Sequence, residues 1–296
     1  MPSLIELRDV WYQYNPNSPL SYWALKGINL KIERGEFISI IGPTGSGKST
    51  LIQHFNGLLK PTKGEVIVDG IEISKTKDLK SIRKKVGMVF QYPETQIFSE
   101  TIYDELAFGL RNYGYSEDEI REKVEEVTKK LGIDYIPLDK SPFLLSGGEM
   151  RRIAIASILA MEPEVFVLDE PLANLDPKGR KELLKEIDYL NRKESLTVII
   201  VSHDLSEVSR YADRIIVLFD GTIIMDGSPR EIFKNVEKLL EISLGVPQIV
   251  ELLYTLHKKG ADIPYNILNI DEAVKTIVKW RKSLGNRDKL RTISTS

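Results

Sequence analysis

Residues Gly42-Pro43-Thr44-Gly45-Ser46-Gly47-Lys48-Ser49 follow the pattern G-x-x-x-x-G-K-[ST], between the apolar run Phe37-Ile38-Ser39-Ile40-Ile41 and a segment of helical character. Glycines at this spacing let backbone N–H groups curl around anionic oxygens, and the positive end of the following helix points to the same place. Such a loop holds the phosphates of a nucleotide. Lys48 is placed to reach the β- and γ-phosphates, the Ser49 hydroxyl to ligate magnesium, and Thr50 to touch the α-phosphate.

A second group of residues concerns what is done to the nucleotide. In Val165-Phe166-Val167-Leu168-Asp169-Glu170-Pro171 two carboxylates end an apolar run. Successive side chains on a strand face opposite ways, so their roles differ: Asp169 serves the magnesium through water, and Glu170 polarises or deprotonates the water that attacks the γ-phosphate. The pair argues for hydrolysis over storage. Leu145-Ser146-Gly147-Gly148-Glu149 opens another helical run. Ser146 and Glu149 alone read as a capping box. That reading leaves unexplained the glycines Gly147 and Gly148, which cost helix stability and make sense where a phosphate approaches the backbone, with the Ser146 hydroxyl as another donor.

These loops need a frame. Residues 5–14 and 25–32 alternate apolar and polar side chains, as half-buried antiparallel strands do, and residues 15–19 break them apart. Apolar runs at 37–41, 86–90, 165–168, 198–201 and 215–218 alternate with helical segments, starting with a helix over 48–58, which predicts a parallel sheet covered on both faces. Between 91 and 161 the pattern is helical, with Ser116 and Glu119 as a capping box and Gly132 as a stop. Beyond Asp226 it is helical again, with starts at Pro229, Pro247 and Asp271. There Ile249, Leu252, Leu253 and Leu256 form a stripe that suits either packing on the main domain or a subunit interface.

Composition narrows the classes. With 42% hydrophobic and 28% charged residues, the 296-residue chain is neither disordered nor fibrous. A net charge of -2 gives no broad cationic field for nucleic acid, and the absence of cysteine removes disulfides, thiolate metal sites and cysteine nucleophiles. The most apolar stretch, 153–161, is too short to cross a bilayer, and the first residues lack the features of a secretory signal, so a cytosolic protein is expected.

One chain thus carries two phosphate-binding helix starts, and in this it resembles the ATP-binding cassette (ABC) ATPases, whose LSGGQ-like signature in one subunit caps ATP held by the phosphate loop of another. The resemblance implies a two-subunit sandwich. It also implies further roles, matched in chain order. Tyr14 fits the aromatic that stacks on adenine, with Tyr12 as the alternative. Gln91 fits the glutamine touching magnesium and the attacking water, at the start of the loop to the helical lobe. Asp176, in Asn174-Leu175-Asp176, fits the loop that crosses the dimer interface, although helix capping before Pro177 explains it equally well. His203, in Ser202-His203-Asp204, fits the histidine that senses the γ-phosphate, while His54 and His257 read as ordinary helix residues.

Local wording goes further. Val86 through Phe98, Gln53-His54-Phe55-Asn56-Gly57-Leu58 and Ser146-Gly147-Gly148-Glu149-Met150-Arg151-Arg152 resemble the ATPase subunits of energy-coupling factor transporters. The resemblance implies an α/β P-loop NTPase core over residues 1–228, with an antiparallel β subdomain and a helical subdomain at about 92–161. A helical extension at 229–296 would strengthen pairing. It also implies ATP and Mg2+, and as partners a second ABC ATPase subunit, identical or related, a transmembrane coupling protein and a substrate-binding membrane component. The place of work is the cytoplasmic face of the cell membrane, and the task is uptake of a vitamin or transition-metal ion. Coupling helices of the membrane protein would enter the groove near 91–98. Glu149 departs from the frequent glutamine, and Leu172 and Asn174 depart from the usual residues of their loop. The rival class is a soluble ATP-dependent switch acting on nucleic acid or the ribosome, which the absent basic excess disfavours.

Overall fold

A computed structural model describes residues 3–202 and 205–293, with side chains described in those ranges except at 207 and 284–293. The chain runs through β1 (Ile5–Tyr14), β2 (Tyr22–Ile32), β3 (Phe37–Ile41), α1 (Lys48–Phe55), β4 (Lys63–Val68), β5 (Ile71–Glu72), α2 (Leu79–Lys85) and β6 (Val86–Val89). Three helices follow: α3 (Ile102–Asn112), α4 (Glu117–Lys130) and α5 (Gly147–Leu159). Then come β7 (Val165–Asp169), α6 (Pro177–Glu194), β8 (Thr197–Val201), α7 (Leu205–Val208), β9 (Arg214–Phe219) and β10 (Thr222–Gly227). The C-terminal part is helical, with α8 (Pro229–Ile232), α9 (Val236–Glu241), α10 (Gln248–Lys258) and α11 (Ile270–Ile293).

Strand patterns sort these elements into two sheets. The alternating strands β1 and β2 pair antiparallel and carry β4 and β5 in the order β2-β1-β4-β5. The uniformly apolar strands form the second sheet, ordered β10-β9-β3-β8-β7-β6, in which β9, β3, β8, β7 and β6 are parallel and β10 is an antiparallel edge. Every residue of β3, β7 and β8 is buried, as expected of strands covered on both faces. Because these strands are parallel, the loops after β3, β6, β7 and β8 all leave from one edge, beside the crevice where α/β sheets bind ligands. The register aligns Ile40 with Val201 and Val201 with Asp169, so the phosphate loop and the carboxylates stand one strand apart.

Between β6 and β7, α3, α4 and α5 pack through Leu106, Leu110, Ile120, Val124 and Ile153. The Ser116–Glu119 capping box forms in full at the start of α4, and Gly132 takes a left-handed φ of 60° just past its end. The described part of the 229–296 segment divides in its packing. Ile232, Phe233, Leu239 and Val250 share the large core, whereas Leu253, Ala261, Ile263, Ile267 and Ala273 form a small core of their own. The apolar stripe on α10 splits accordingly: Leu253 is fully buried, and Leu252 points outward.

His54, an ordinary helix residue by sequence, sits fully buried one turn beyond the phosphate loop. Its Nδ1–H donates to the Thr50 carbonyl at 2.7 Å, while Nε2 has no hydrogen-bond partner among the described residues and the ring edge meets Tyr12. Burial pushes its pKa from 6.5 down to about 4 against the opposing effect of the Thr50 bond. Between these values the unfolded chain binds a proton that the folded chain refuses, so stability falls as pH falls through this window, by about 3 kcal/mol in full. Urea unfolding at a series of pH values from 7 to 4 should show this loss, and His54→Gln should flatten that part of the curve. Equal slopes for the two proteins would contradict the assignment.

Candidate functional site

The turn after β3 has the shape its glycines permit. A Cβ on Gly42 would lie 2.2 Å from the Leu218 carbonyl oxygen and 2.6 Å from Ser46 Oγ, so only glycine fits there. Gly47, at φ 101°, passes so close to the β2 backbone that a Cβ would stand 2.5 Å from the Ala24 carbonyl oxygen. Ser46 is buried inside the turn, and its carbonyl accepts the Gly221 N–H at 3.0 Å, tying the loop to the β9–β10 hairpin. Lys48 Nζ donates to the Gly42 and Pro43 carbonyls at 2.7 and 2.9 Å, which holds its cation over the loop. Burial pulls its pKa down, and the neighbouring Glu170 and Asp169 charges oppose that.

Asp169 and Glu170 arrive at the same place from β7. The Asp169 carboxylate accepts a hydrogen bond from Ser49, yet burial keeps its pKa above the ordinary aspartate value. Glu170 has a φ of 52° and donates its backbone N–H to the Val201 carbonyl at 2.9 Å. A left-handed glutamate costs energy, and Tyr92 and Asn174 share that conformation in adjoining loops at φ 57° and 60°. One cavity is lined by Gly42, Pro43, Thr44, Gly45, Gly47, Lys48, Ser49, Thr50, Gln91, Asp169 and Glu170. The structure therefore gathers the phosphate loop, both carboxylates and Gln91, as the sequence predicts.

Other expected residues are elsewhere. Ser146, Gly148 and Glu149 line a different cavity, shared with Asp176 and Gly179. Ser146 caps α5, and its capping box with Glu149 forms in full. A Cβ on Gly147 or Gly148 would meet nothing within 4 Å among the described residues, and neither has a positive φ, so none of those residues requires glycine there. Asp176 caps α6, accepting the Gly179 N–H at 2.8 Å, so the capping role is real. His203 lies outside the described residues.

Three features escaped sequence reasoning. The aromatic lining the phosphate-loop cavity is Tyr22, 57% exposed. Tyr14 stacks on it with centroids 5.2 Å apart, and its hydroxyl lies 3.2 Å from Thr50 Oγ1. The cross-strand pairing of Tyr14 with Tyr22 is the signal that would have found it. Ser243-Leu244-Gly245, from the turn between α9 and α10, also lines that cavity, and no local motif marks it. Arg151, its side chain 3% exposed, holds Glu94 through paired bonds of 3.0 and 2.9 Å and donates to the Pro171 and Ala173 carbonyls. One guanidinium thus ties the loop after Gln91, the helix after Ser146 and the loop after Glu170. Burial would raise the Glu94 carboxyl, but Arg151 more than offsets this and holds it below the ordinary value.

Comparison with known proteins identifies the family. The model of the family described as ABC transporter matches residues 25–173. The energy-coupling factor transporter ATP-binding protein EcfA2 of Caldanaerobacter subterraneus is 49% identical, over 95% of this chain and 99% of the relative. Its counterpart from Clostridium perfringens is also 49% identical, over 93% and 97%. The chain belongs to the energy-coupling factor branch of the ABC ATPases. Solved structures agree: cbiO1 of Clostridium perfringens, part of the ABC transporter complex cbiONQ, superposes with a TM-score of 0.74 at 38% identity, covering 86% of this chain and all of that one. A dimeric ATP-binding cassette in a post-hydrolysis state with ADP and Pi gives 0.68 at 35%, covering 76% and 98%. This ABC ATPase therefore binds and hydrolyses ATP as an energy-coupling factor subunit. Among its described residues, no helix is long and apolar enough to cross a membrane.

Proposed function

We propose that this ATPase powers uptake of a vitamin or a transition-metal ion from the cytoplasmic face of the cell membrane. ATP would be clasped between its phosphate loop and the signature helix of a second ABC ATPase subunit. One observation carries this reading: the phosphate loop and the Ser146 to Glu149 segment line separate cavities, so each is half of a site. The glycines at the start of α5, with open space above them, leave room for a phosphate held by another chain.

In this reading residues 1–228 are the ATPase unit, 92–161 its helical lobe and 229–296 a pairing extension. Lys48 and the backbone of residues 42–50 hold the phosphates, and the Tyr22–Tyr14 stack receives the adenine. Ser49, Asp169 and Gln91 are hard oxygen donors facing one cavity, a set that suits Mg2+ completed by phosphate oxygens and water. When bound, that ion would neutralise charge on the phosphates. Glu170 orients the attacking water and accepts its proton at the carboxylate. Gln91 serves the surroundings of the γ-phosphate, the resemblance assigns His203 the sensing of that phosphate, and Ser146, Gly147, Gly148 and Asp176 serve the nucleotide held by the partner.

A groove containing Met88, Phe98, Phe108 and Met161 suits coupling helices of a transmembrane partner, since Phe98 and Phe108 are 61% and 48% exposed. Ile270, Val274 and Val278, exposed at four-residue spacing on α11, suit pairing with the second ATPase. The membership of cbiO1 in a transporter complex supports membrane partners of this kind. Purification from solubilised membranes tests the proposal: recovery with a coupling protein and a cargo-binding membrane protein is expected. Retention on nucleic acid at moderate salt without those partners would overturn it in favour of a soluble switch.

A further inference from the structure

The start of α5 can offer an approaching anion the N–H groups of Gly147 and Gly148 and the hydroxyl of Ser146. That hydroxyl has a single proton to give. Here it is given to Glu149, whose Oε2 lies 2.7 Å from Ser146 Oγ and also accepts the Ser146 backbone N–H at 2.9 Å. The other carboxylate oxygen, Oε1, accepts the Tyr135 hydroxyl at 2.9 Å. The Ser146 hydroxyl, the Ser146 N–H and the Tyr135 hydroxyl keep Glu149 ionised, holding its pKa below the ordinary glutamate value. A full negative charge therefore stands in the first turn of the helix. It opposes the positive helix end and turns the one mobile donor away from the open face.

We propose that Glu149 is a positioning residue that withholds the Ser146 hydroxyl proton from nucleotide clasped by the partner, making a composite site built on this signature harder to close than one whose serine proton is free. This inference rests on the two-chain reading of the site. Glutamine at this position keeps the capping box. It removes the charge, and its single carbonyl oxygen has to serve the donors now shared by two carboxylate oxygens, so the Ser146 hydroxyl is released.

The test uses the chain in complex with the ATPase subunit that co-purifies with it. Pairing is measured by light scattering as a non-hydrolysable ATP analogue is added. Glu149→Gln is expected to lower the analogue concentration for half-maximal pairing by about tenfold, because a charge-assisted bond is exchanged for a neutral one and a like charge is removed. In a Ser146→Ala background most of that gain should vanish, a loss that a purely structural cap would not produce. An unchanged or raised midpoint for Glu149→Gln, or a gain that survives intact in Ser146→Ala, overturns the inference. A native chain that shows no analogue-dependent pairing at all would instead overturn the two-chain reading itself.

Discussion

Glu170→Gln should hold ATP and stay paired with its partner subunit while losing turnover by about a hundredfold or more, the scale of a positioned general base. The substitution conserves size, and the features that aim the side chain lie in the backbone: the left-handed φ of 52° and the N–H bond to Val201. An amide oriented in the same way cannot take the proton of the attacking water. Closure, driven by binding, would then outlast its normal release, so size-exclusion chromatography with ATP should show a long-lived pair where the native complex returns to separate chains. Steady-state phosphate release measured on the paired complex decides the matter. Native turnover in the variant would remove Glu170 from the chemistry.

Lys48→Ala acts one step earlier. Its ammonium is anchored on the Gly42 and Pro43 carbonyls, facing Asp169 and Glu170 across the cavity. Removing it takes away a cation whose charge acts on both carboxylates, leaving them closer in effect to the bound triphosphate. Affinity for ATP should fall roughly ten- to a hundredfold, the worth of hydrogen bonds to a charged group, and hydrolysis should be lost. Titration calorimetry with ATP separates the two effects. Unchanged affinity together with unchanged turnover would contradict the role.

How far the sequence could be read depended on the range of each interaction. The phosphate loop, the carboxylates after β7 and the helix starts at Ser116 and Ser146 are local, and each was legible because a few consecutive residues determine the geometry. Strand limits shifted slightly: β2 begins at Tyr22, before the alternation is clear, because it pairs with the end of β1. Tyr22 joins the cavity only through that pairing, and Ser243-Leu244-Gly245 only through the docking of α9 and the turn after it. Arg151 reads in the sequence only as one residue of the helical run from Ser146 to Arg152. Its burial between Glu94 and the loop after Glu170 follows from contacts 57 and 22 positions distant. The capping of Ser146 by Glu149 is anticipated as a local alternative. That the same bond occupies the serine proton emerges only from the side-chain geometry.

The sequence contains no cysteine, so Ser146→Cys would give the chain a single thiol. That thiol can report whose nucleotide the signature helix touches. A chain carrying Ser146→Cys together with Lys48→Ala is mixed with an ATPase subunit whose phosphate loop is intact, and an ATP analogue bearing a thiol-reactive group on its γ-phosphate is added. Mass spectrometry of this chain should find the analogue attached at position 146 only when the intact subunit is present. Equal labelling of Ser146→Cys chains diluted to monomers, each with its own Lys48, would place the helix over its own nucleotide and contradict a site shared between two polypeptides.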